Sequence, residues 1–325
     1  MSETYQLPSI PYLRLRVTLH ADDPAELPAF HGSMLRGAFG HALRRLTCTM
    51  GPEQPCATCV LRRTCFYTRL FEPILDEAPA PFLRGVTSVV RPYVFEPRGG
   101  AGRLAPGDPL AFDLLLFGQA IELQAYAVLA IERMARGGLA KGRARFRLHQ
   151  VEALAPDHRW QTLYAPGVPL TRPAPPSPAP PELPVQTETT PEQPLALRFL
   201  TPLRLKVRDR LADRPNVRDL VFNTLRRILE LAAVHAPEAA VDWSFRAYLA
   251  QTAAVQVLSA HLAWHDQERW SHRQNAAMTL GGVVGRLVLT GDLTPFLPLL
   301  RIAEVVHIGK GATFGLGKIA VEPAS

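Results

Sequence analysis

Tyr12–Leu19 reads YLRLRVTL and Ser33–Leu46 reads SMLRGAFGHALRRL, and the change of period between them decides the fold. In the first stretch Leu13, Leu15, Val17 and Leu19 alternate with Arg14, Arg16 and Thr18, the two-residue repeat of a strand with one buried face. In the second, Leu35, Ala38, Phe39, Ala42, Leu43 and Leu46 recur at three- and four-residue intervals, which predicts an amphipathic helix burying that stripe. Downstream, Leu110–Phe117 reads as a strand, Ala120–Ala135 as a helix and RARFRLHQV (143–151) as another strand. Together they supply most of a strand-helix-strand-strand-helix-strand unit.

A related order follows later in the chain. ALRFLTPLRLKV (196–207) is strand-like, and Leu220, Val221, Leu225, Ile228, Leu229 and Ala232 form a helical stripe within Val217–Ala236. Ala254–Trp264 and Val283–Leu289 read as strands, Pro295–Val306 as a short helix and Leu316–Glu322 as a terminal strand. Between the two passes, Pro166–Pro194 holds eleven prolines, including APPSPAPPELP, a composition that favours an extended segment without a packed interior. The expected architecture is therefore α+β, with two tandem ferredoxin-like (RRM-like) domains. The first spans residues 1–160 with a cysteine loop inserted at 48–65. A Pro-rich linker covers 166–194, and the second domain spans 195–325 with a glycine-rich loop.

The chain has 325 residues, 47% of them hydrophobic and 20% charged, enough apolar side chain to bury two cores and to rule out a disordered polypeptide. Thirty-six Lys+Arg against 29 Asp+Glu give a net charge of +7, compatible with a nucleic acid or another acidic partner and shared by many proteins that bind neither. There is no run of 18 uninterrupted apolar residues, and MSETYQLPSIPYL lacks the basic segment and apolar core of an export signal. A cytoplasmic protein without a membrane partner is expected.

All four cysteines lie between Cys48 and Cys65, spaced Cys48-x7-Cys56-x2-Cys59-x5-Cys65. Four soft ligands with a close middle pair predict a structural zinc, which would replace the core that this excursion lacks and leave no open coordination position for chemistry. Reduced or redox-active cysteines and an iron-sulfur cluster are the competing readings.

Catalysis must then be sought elsewhere, and the first helix offers it. His41 falls opposite the apolar stripe beside Gly37, Gly40, Arg44 and Arg45, while His31 lies just before the helix start. An imidazole exchanges protons near neutrality and arginines hold phosphate, although those same arginines disfavour the imidazolium until a bound phosphate offsets them. A solvent-facing histidine among helix charges is the plain alternative. Gly37 and Gly40 are costly in a helix, so close backbone packing or ligand approach must compensate.

Near the end, His307-Ile-Gly-Lys-Gly-Ala-Thr-Phe-Gly-Leu-Gly-Lys318 gathers four glycines and two lysines before a strand. It has neither the order of a P-loop nor the setting of a dinucleotide fingerprint. Its glycines could bring backbone amides to a nucleic-acid phosphate, with Lys310 and Lys318 supplying charge and Phe314 stacking on a base or packing inward. A tight structural turn is the bland reading.

LRGAFGHALRRL, the four-cysteine excursion, LTPLRLK, HRQNAAMTLGGVVG and the terminal HIGKGATFGLGKI together resemble the CRISPR-associated precursor-crRNA-processing endoribonucleases of the RAMP superfamily. The resemblance runs through most of the chain in ordered patches, and the glycine-rich patch is its most specific part. It implies cleavage of CRISPR repeat transcripts into guide RNAs without a catalytic metal, the RNA 2′-hydroxyl acting as nucleophile and leaving a 2′,3′-cyclic phosphate. It also implies that His41, with His31 as competitor, serves as general base or acid. RNA contacts are expected from Arg36, Arg44, Arg45, Arg273, His307, Lys310, Gly311, Phe314 and Lys318, with bracing of the turn as the first role of His307. The partners implied are repeat RNA, processed guide RNA and a multisubunit CRISPR effector complex. The alternative function is a noncatalytic repeat-RNA-binding subunit of such a complex, and a zinc-stabilised protein-interaction module is the third.

Overall fold

In the computed structural model, residues 6–51, 53–75, 83, 89–166, 193–239, 245–266, 268–271 and 276–324 are described. The Pro-rich linker lies almost wholly outside them, as does Arg273. The chain divides into two compact units, one holding Pro11–Pro178 with Ala233–Ala236 and the other Met1–Ile10, Ala179–Ala232 and Pro237–Ser325.

The first unit runs β1 (Tyr12–Ala21), β2 (Ala25–Leu27), α1 (Gly32–Thr47), α2 (Phe66–Leu70), β3 (Tyr93–Pro97), β4 (Gly102–Leu104), β5 (Pro109–Phe117), α3 (Gln124–Gly137), β6 (Phe146–Leu154) and β7 (Trp160–Tyr164). Its main sheet is antiparallel in the order β3-β5-β1-β6-β7, with β1 in the middle. The alternation of β1 resolves as predicted. Leu13, Leu15, Val17 and Leu19 are fully buried in the same core as Leu35, Phe39 and Leu43 of α1 and Ala127, Ile131 and Met134 of α3. Ala38 and Leu46 complete the α1 stripe half-buried.

β1 turns Arg14 and Arg16 to the other face, where Asp113 of β5 and Glu96 of β3 are both buried. Arg14 donates to Glu96 at 2.9 Å and to Asp113 at 3.1 Å, while Arg16 and Arg98 reach Asp113 at 3.4 and 3.2 Å. Three guanidinium groups on two carboxylates satisfy charges that burial alone would penalise by several kcal/mol per ion. Arg16 also lies 3.8 Å above the Trp160 ring of β7.

The second unit runs β8 (Leu195–Leu203), β9 (Lys206–Val207), β10 (Arg210–Leu211), α4 (Val217–His235, its last three residues counted with the first unit), α5 (Phe245–Ala250), β11 (Val255–His265), β12 (Glu268–Ser271), β13 (Ala276–Thr279), β14 (Gly282–Gly291), α6 (Leu297–Val306) and β15 (Ile319–Pro323). Its four-stranded antiparallel sheet has the order β11-β14-β8-β15. All six residues of the predicted α4 stripe, from Leu220 to Ala232, are buried. Each unit is thus a mixed α/β layer whose first strand is central and whose helices follow the first and third strands of its main sheet. Among the described residues no helix is long and apolar enough to cross a membrane.

Candidate active site and glycine-rich loop

The buried stripe of α1 leaves Ser33, Gly37, His41 and Arg44 on the opposite side of the helix at four- and three-residue spacing. His41 and Arg45 are exposed to solvent. Arg44 and Arg45 sit in the last turn, where their charge complements the helix dipole. Not every arginine expected on RNA has its head group in water, however. Arg36 donates to the Tyr93 hydroxyl at 3.2 Å, and its guanidinium lies 4.1 Å above the Phe71 ring. Arg44 donates to the Gln54 carbonyl at 2.9 Å and lies 6.0 Å from the Tyr67 ring centre, with its Nε buried. Arg36 thus ties α1 to Phe71 and to β3, and Arg44 ties it to the loop that follows.

Gly40 has a packing reason. An added Cβ would come within 2.2 Å of the Phe71 ring, so the ring lies directly on the helix backbone there. Gly37 has none among the described residues, since a Cβ at that position meets nothing within 4 Å.

His31, the competing histidine, ends in a different place. It is 1% exposed, and neither ring nitrogen has a hydrogen-bond partner of good geometry among the described residues. Burial pushes its pKa down, with the nearby Pro28 carbonyl acting in the opposite direction. The ring is neutral and enclosed, and it presents no surface to a substrate.

The four cysteines punctuate the inserted loop. Cys48 ends α1, Cys56 opens a single 3-10 turn that Cys59 closes, and Cys65 precedes α2. All four are free and half-buried, and Cys56 and Cys65 pack against the core of the first unit. Burial and then Glu72 push the Cys56 thiol up, Arg44 opposes them, and Cys65 and Cys48 add smaller contributions in the same direction as Glu72. Among the described residues no three His, Cys, Asp or Glu side chains are grouped as a metal site, so the predicted four-thiolate cluster is not assembled in this structure.

In the second unit the glycine-rich loop is tied to the end of β8. Lys310 donates its backbone N–H to the Arg204 carbonyl and Gly317 donates to Pro202. The Thr201 hydroxyl donates to Gly315 O at 2.8 Å and accepts from the Lys318 N–H at 2.9 Å. A Cβ at Gly317 would lie 1.8 Å from the Ile308 carbonyl, at a positive φ of 69°, so glycine is required there. His307 is wholly buried, takes a left-handed φ of 59°, and places Nδ1 3.1 Å from the Leu316 carbonyl. The ring braces the turn from inside the unit, with no side-chain surface exposed. Lys310 is exposed, and Phe314, Gly311 and Lys318 are partly so.

A basic element missed by the sequence reading lies alongside. Arg204 bridges to Gly309, and immediately after it β9 and β10 form a hairpin whose turn residues, Arg208 and Asp209, both have positive φ. Lys206 pairs with Asp209, Lys310 also helps hold the Asp209 carboxyl below its usual range, and Arg208 and Arg210 are exposed. The alternation in KVRDR carried that signal, but two-residue strands fall below the length at which a period can be read.

Fold and site together define a two-module α/β protein with an exposed imidazole on the first helix of one module and a basic, glycine-rich loop in the other. Residues 197–319 match the family model described as CRISPR-associated endoribonuclease Cas6, and residues 10–176 match a model described as an N-terminal domain. The Cas6 match thus falls on the part of the chain that runs from β8 to the start of β15. A solved Cas6 product complex is similar over 97% of this chain and 99% of its own, at 17% identity and a TM-score of 0.52. Thermus thermophilus Cas6 is similar over 96% and 99%, at 16% identity and 0.51. The Cas6-bearing chain of a partial Cas6-RT-Cas1–Cas2 complex matches 98% of this chain and 47% of its own, at 14% identity and 0.57. At these identities the likeness is one of fold. No curated protein sequence matches the chain significantly.

Proposed function

We propose that the protein is a metal-independent endoribonuclease that cuts precursor CRISPR RNA within its repeats and releases guide RNAs in the cytoplasm. The observation that carries the assignment is His41, an exposed imidazole on α1 opposite the buried stripe, in a chain whose residues 197–319 match the Cas6 endoribonuclease model. The 2′-hydroxyl of the nucleotide 5′ to the cut attacks the adjacent phosphorus. The 2′-O–P bond forms, the P–O5′ bond breaks, one proton leaves the 2′-oxygen and one joins the departing 5′-oxygen. His41 performs one of those two transfers, a role worth typically 10²–10⁴-fold. Its neighbour Arg45 balances charge on the phosphate.

Each unit reads as a ferredoxin-like domain, a reading supported by the same strand order in both sheets, with the second main strand at one edge, then the third, the first and the fourth. RNA beyond the cut is held by Lys310, Lys318, Gly311 and Phe314 of the glycine-rich loop and by the adjacent Arg208 and Arg210. The product stays available to other CRISPR-associated proteins. The cysteine loop holds a structural zinc when the metal is supplied. Its support is the spacing of four free thiols within one loop, and the thiols must close on the ion because they are not grouped without it.

Purified protein is incubated with its repeat RNA in chelator, beside the same RNA carrying 2′-hydrogen at the cut. Specific products ending in a cyclic phosphate, lost with the deoxy substrate and with His41→Ala while binding persists, are expected. Tight binding with uncut RNA at every pH would instead make the protein a noncatalytic repeat-RNA-binding subunit.

A further inference from the structure

We infer that Gly37 is a substrate-contact position, where the ribose and phosphate of the nucleotide being cut lie directly against the backbone of α1. The inference rests on the reading of His41 as the proton-transfer residue and adds a subsite to it.

Glycine is among the most costly residues in a helix interior, and α1 carries two there, beyond the Gly32 that opens it. The structure separates their causes. Gly40 is needed because Phe71 occupies the space of a side chain. At Gly37 the backbone is ordinary helix without a positive φ, and an added Cβ meets no described atom within 4 Å. Neither conformation nor packing among the described residues asks for glycine at this site, so the requirement points outside the fold.

Its location says what that requirement is. Gly37 is four residues before His41 on the face opposite Leu35, Phe39 and Leu43, one turn away along the helix axis. Its backbone N–H and carbonyl are inside the helix ladder, so the position offers no free donor. What it offers is closeness: a sugar or phosphate oxygen can reach the Cα–H at about 3.3–3.6 Å, the distance of a weak C–H···O contact, where any Cβ would intrude. Proton transfer needs the reacting oxygen within about 2.6–3.2 Å of the imidazole, and a displacement near 1 Å can cost about 100-fold in rate. A methyl group at Gly37 displaces the substrate by an amount of that order while leaving the enzyme intact.

The test compares Gly37→Ala, Gly37→Leu and His41→Ala with the parent protein. Single-turnover cleavage of repeat RNA, affinity for the uncleavable 2′-deoxy repeat and thermal midpoint are measured for each. Gly37→Ala should raise the midpoint by about 2 °C and slow cleavage by at least about tenfold, with a larger loss for Gly37→Leu. Wild-type cleavage by Gly37→Ala overturns the inference, and so does a lowered midpoint, which would show that the position is packed. If His41→Ala cleaves normally while Gly37→Ala does not, the His41 reading fails and the Gly37 contact stands.

Discussion

Gly40→Ala tests the packing of α1 with a sign opposite to intuition. Alanine is favoured over glycine in a helix interior by about 1 kcal/mol, so a free helix would gain from the change. Here the new methyl would sit 2.2 Å from Phe71 Cζ and 2.6 Å from both Cε atoms. The ring has little room to retreat, since it stacks on Tyr93 at 5.9 Å and on Tyr67 at 5.3 Å and carries the Arg36 guanidinium 4.1 Å above it. Phe71 and Tyr93 are 6% and 0% exposed, so nothing on that side yields to solvent. Overpacking of this kind costs about 1–3 kcal/mol. An overlap exceeding an ångström belongs at the upper end, leaving a net loss of about 2 kcal/mol after the propensity gain. For a unit of this size the midpoint should fall by about 4–8 °C. Urea unfolding read separately in the parent, Gly40→Ala, Phe71→Ala and the double variant closes a cycle. In the Phe71→Ala background the ring is gone, and Gly40→Ala should become stabilising by about 1 kcal/mol. A Gly40→Ala protein at least as stable as the parent, or a cost that survives removal of the ring, would refute the packing argument.

Asp113→Ala strands Arg14, Arg16 and Arg98 beside a single remaining carboxylate, Glu96, and should cost about 2–4 kcal/mol in urea unfolding, less than a fully enclosed pair because the arginines keep some water. His31 is neutral and buried, with its pKa held below the ordinary 6.5. Below about pH 6.5 the unfolded chain therefore takes up a proton that the folded chain refuses, so stability is full above that pH and declines beneath it until the lowered pKa is reached. The slope from this one group is at most about 1.4 kcal/mol per pH unit, and His31→Leu should flatten the stability profile between pH 5 and 6.5. Protein purified without chelator should contain about one zinc per chain, and Cys59→Ser should lower that content; a chain without metal under these conditions would sink the four-thiolate reading.

Burial writes itself into every turn of sequence, which is why β1, α1, α4 and the glycine-rich loop were legible in advance. Leu13, Leu15, Val17 and Leu19 are all at zero exposure on the face their alternation predicted. β3 was not legible for the same reason inverted. Its YVFEP is buried on both faces, including Glu96, so no alternation appears, and the charge that should mark a surface is instead held by Arg14. The partners that settle the fate of Arg36 lie far along the chain, Tyr93 being 57 residues away, so periodicity placed the arginine on a helix flank and could not show that its charge is spent on aromatic rings.

The two interior glycines of α1 show the difference most clearly. In sequence Gly37 and Gly40 are equivalent interruptions of one helix, each with the same intrinsic cost. What separates them is a single ring contributed from beyond the cysteine loop, present at Gly40 and absent at Gly37. One face of the helix is therefore fixed by what the protein packs against itself, and the other keeps a gap that its own described side chains do not fill. A helix that maximised stability would place alanine in that gap. On the inference that substrate lies against Gly37, the stability given up there is exchanged for close approach, a trade that a merely exposed surface does not make.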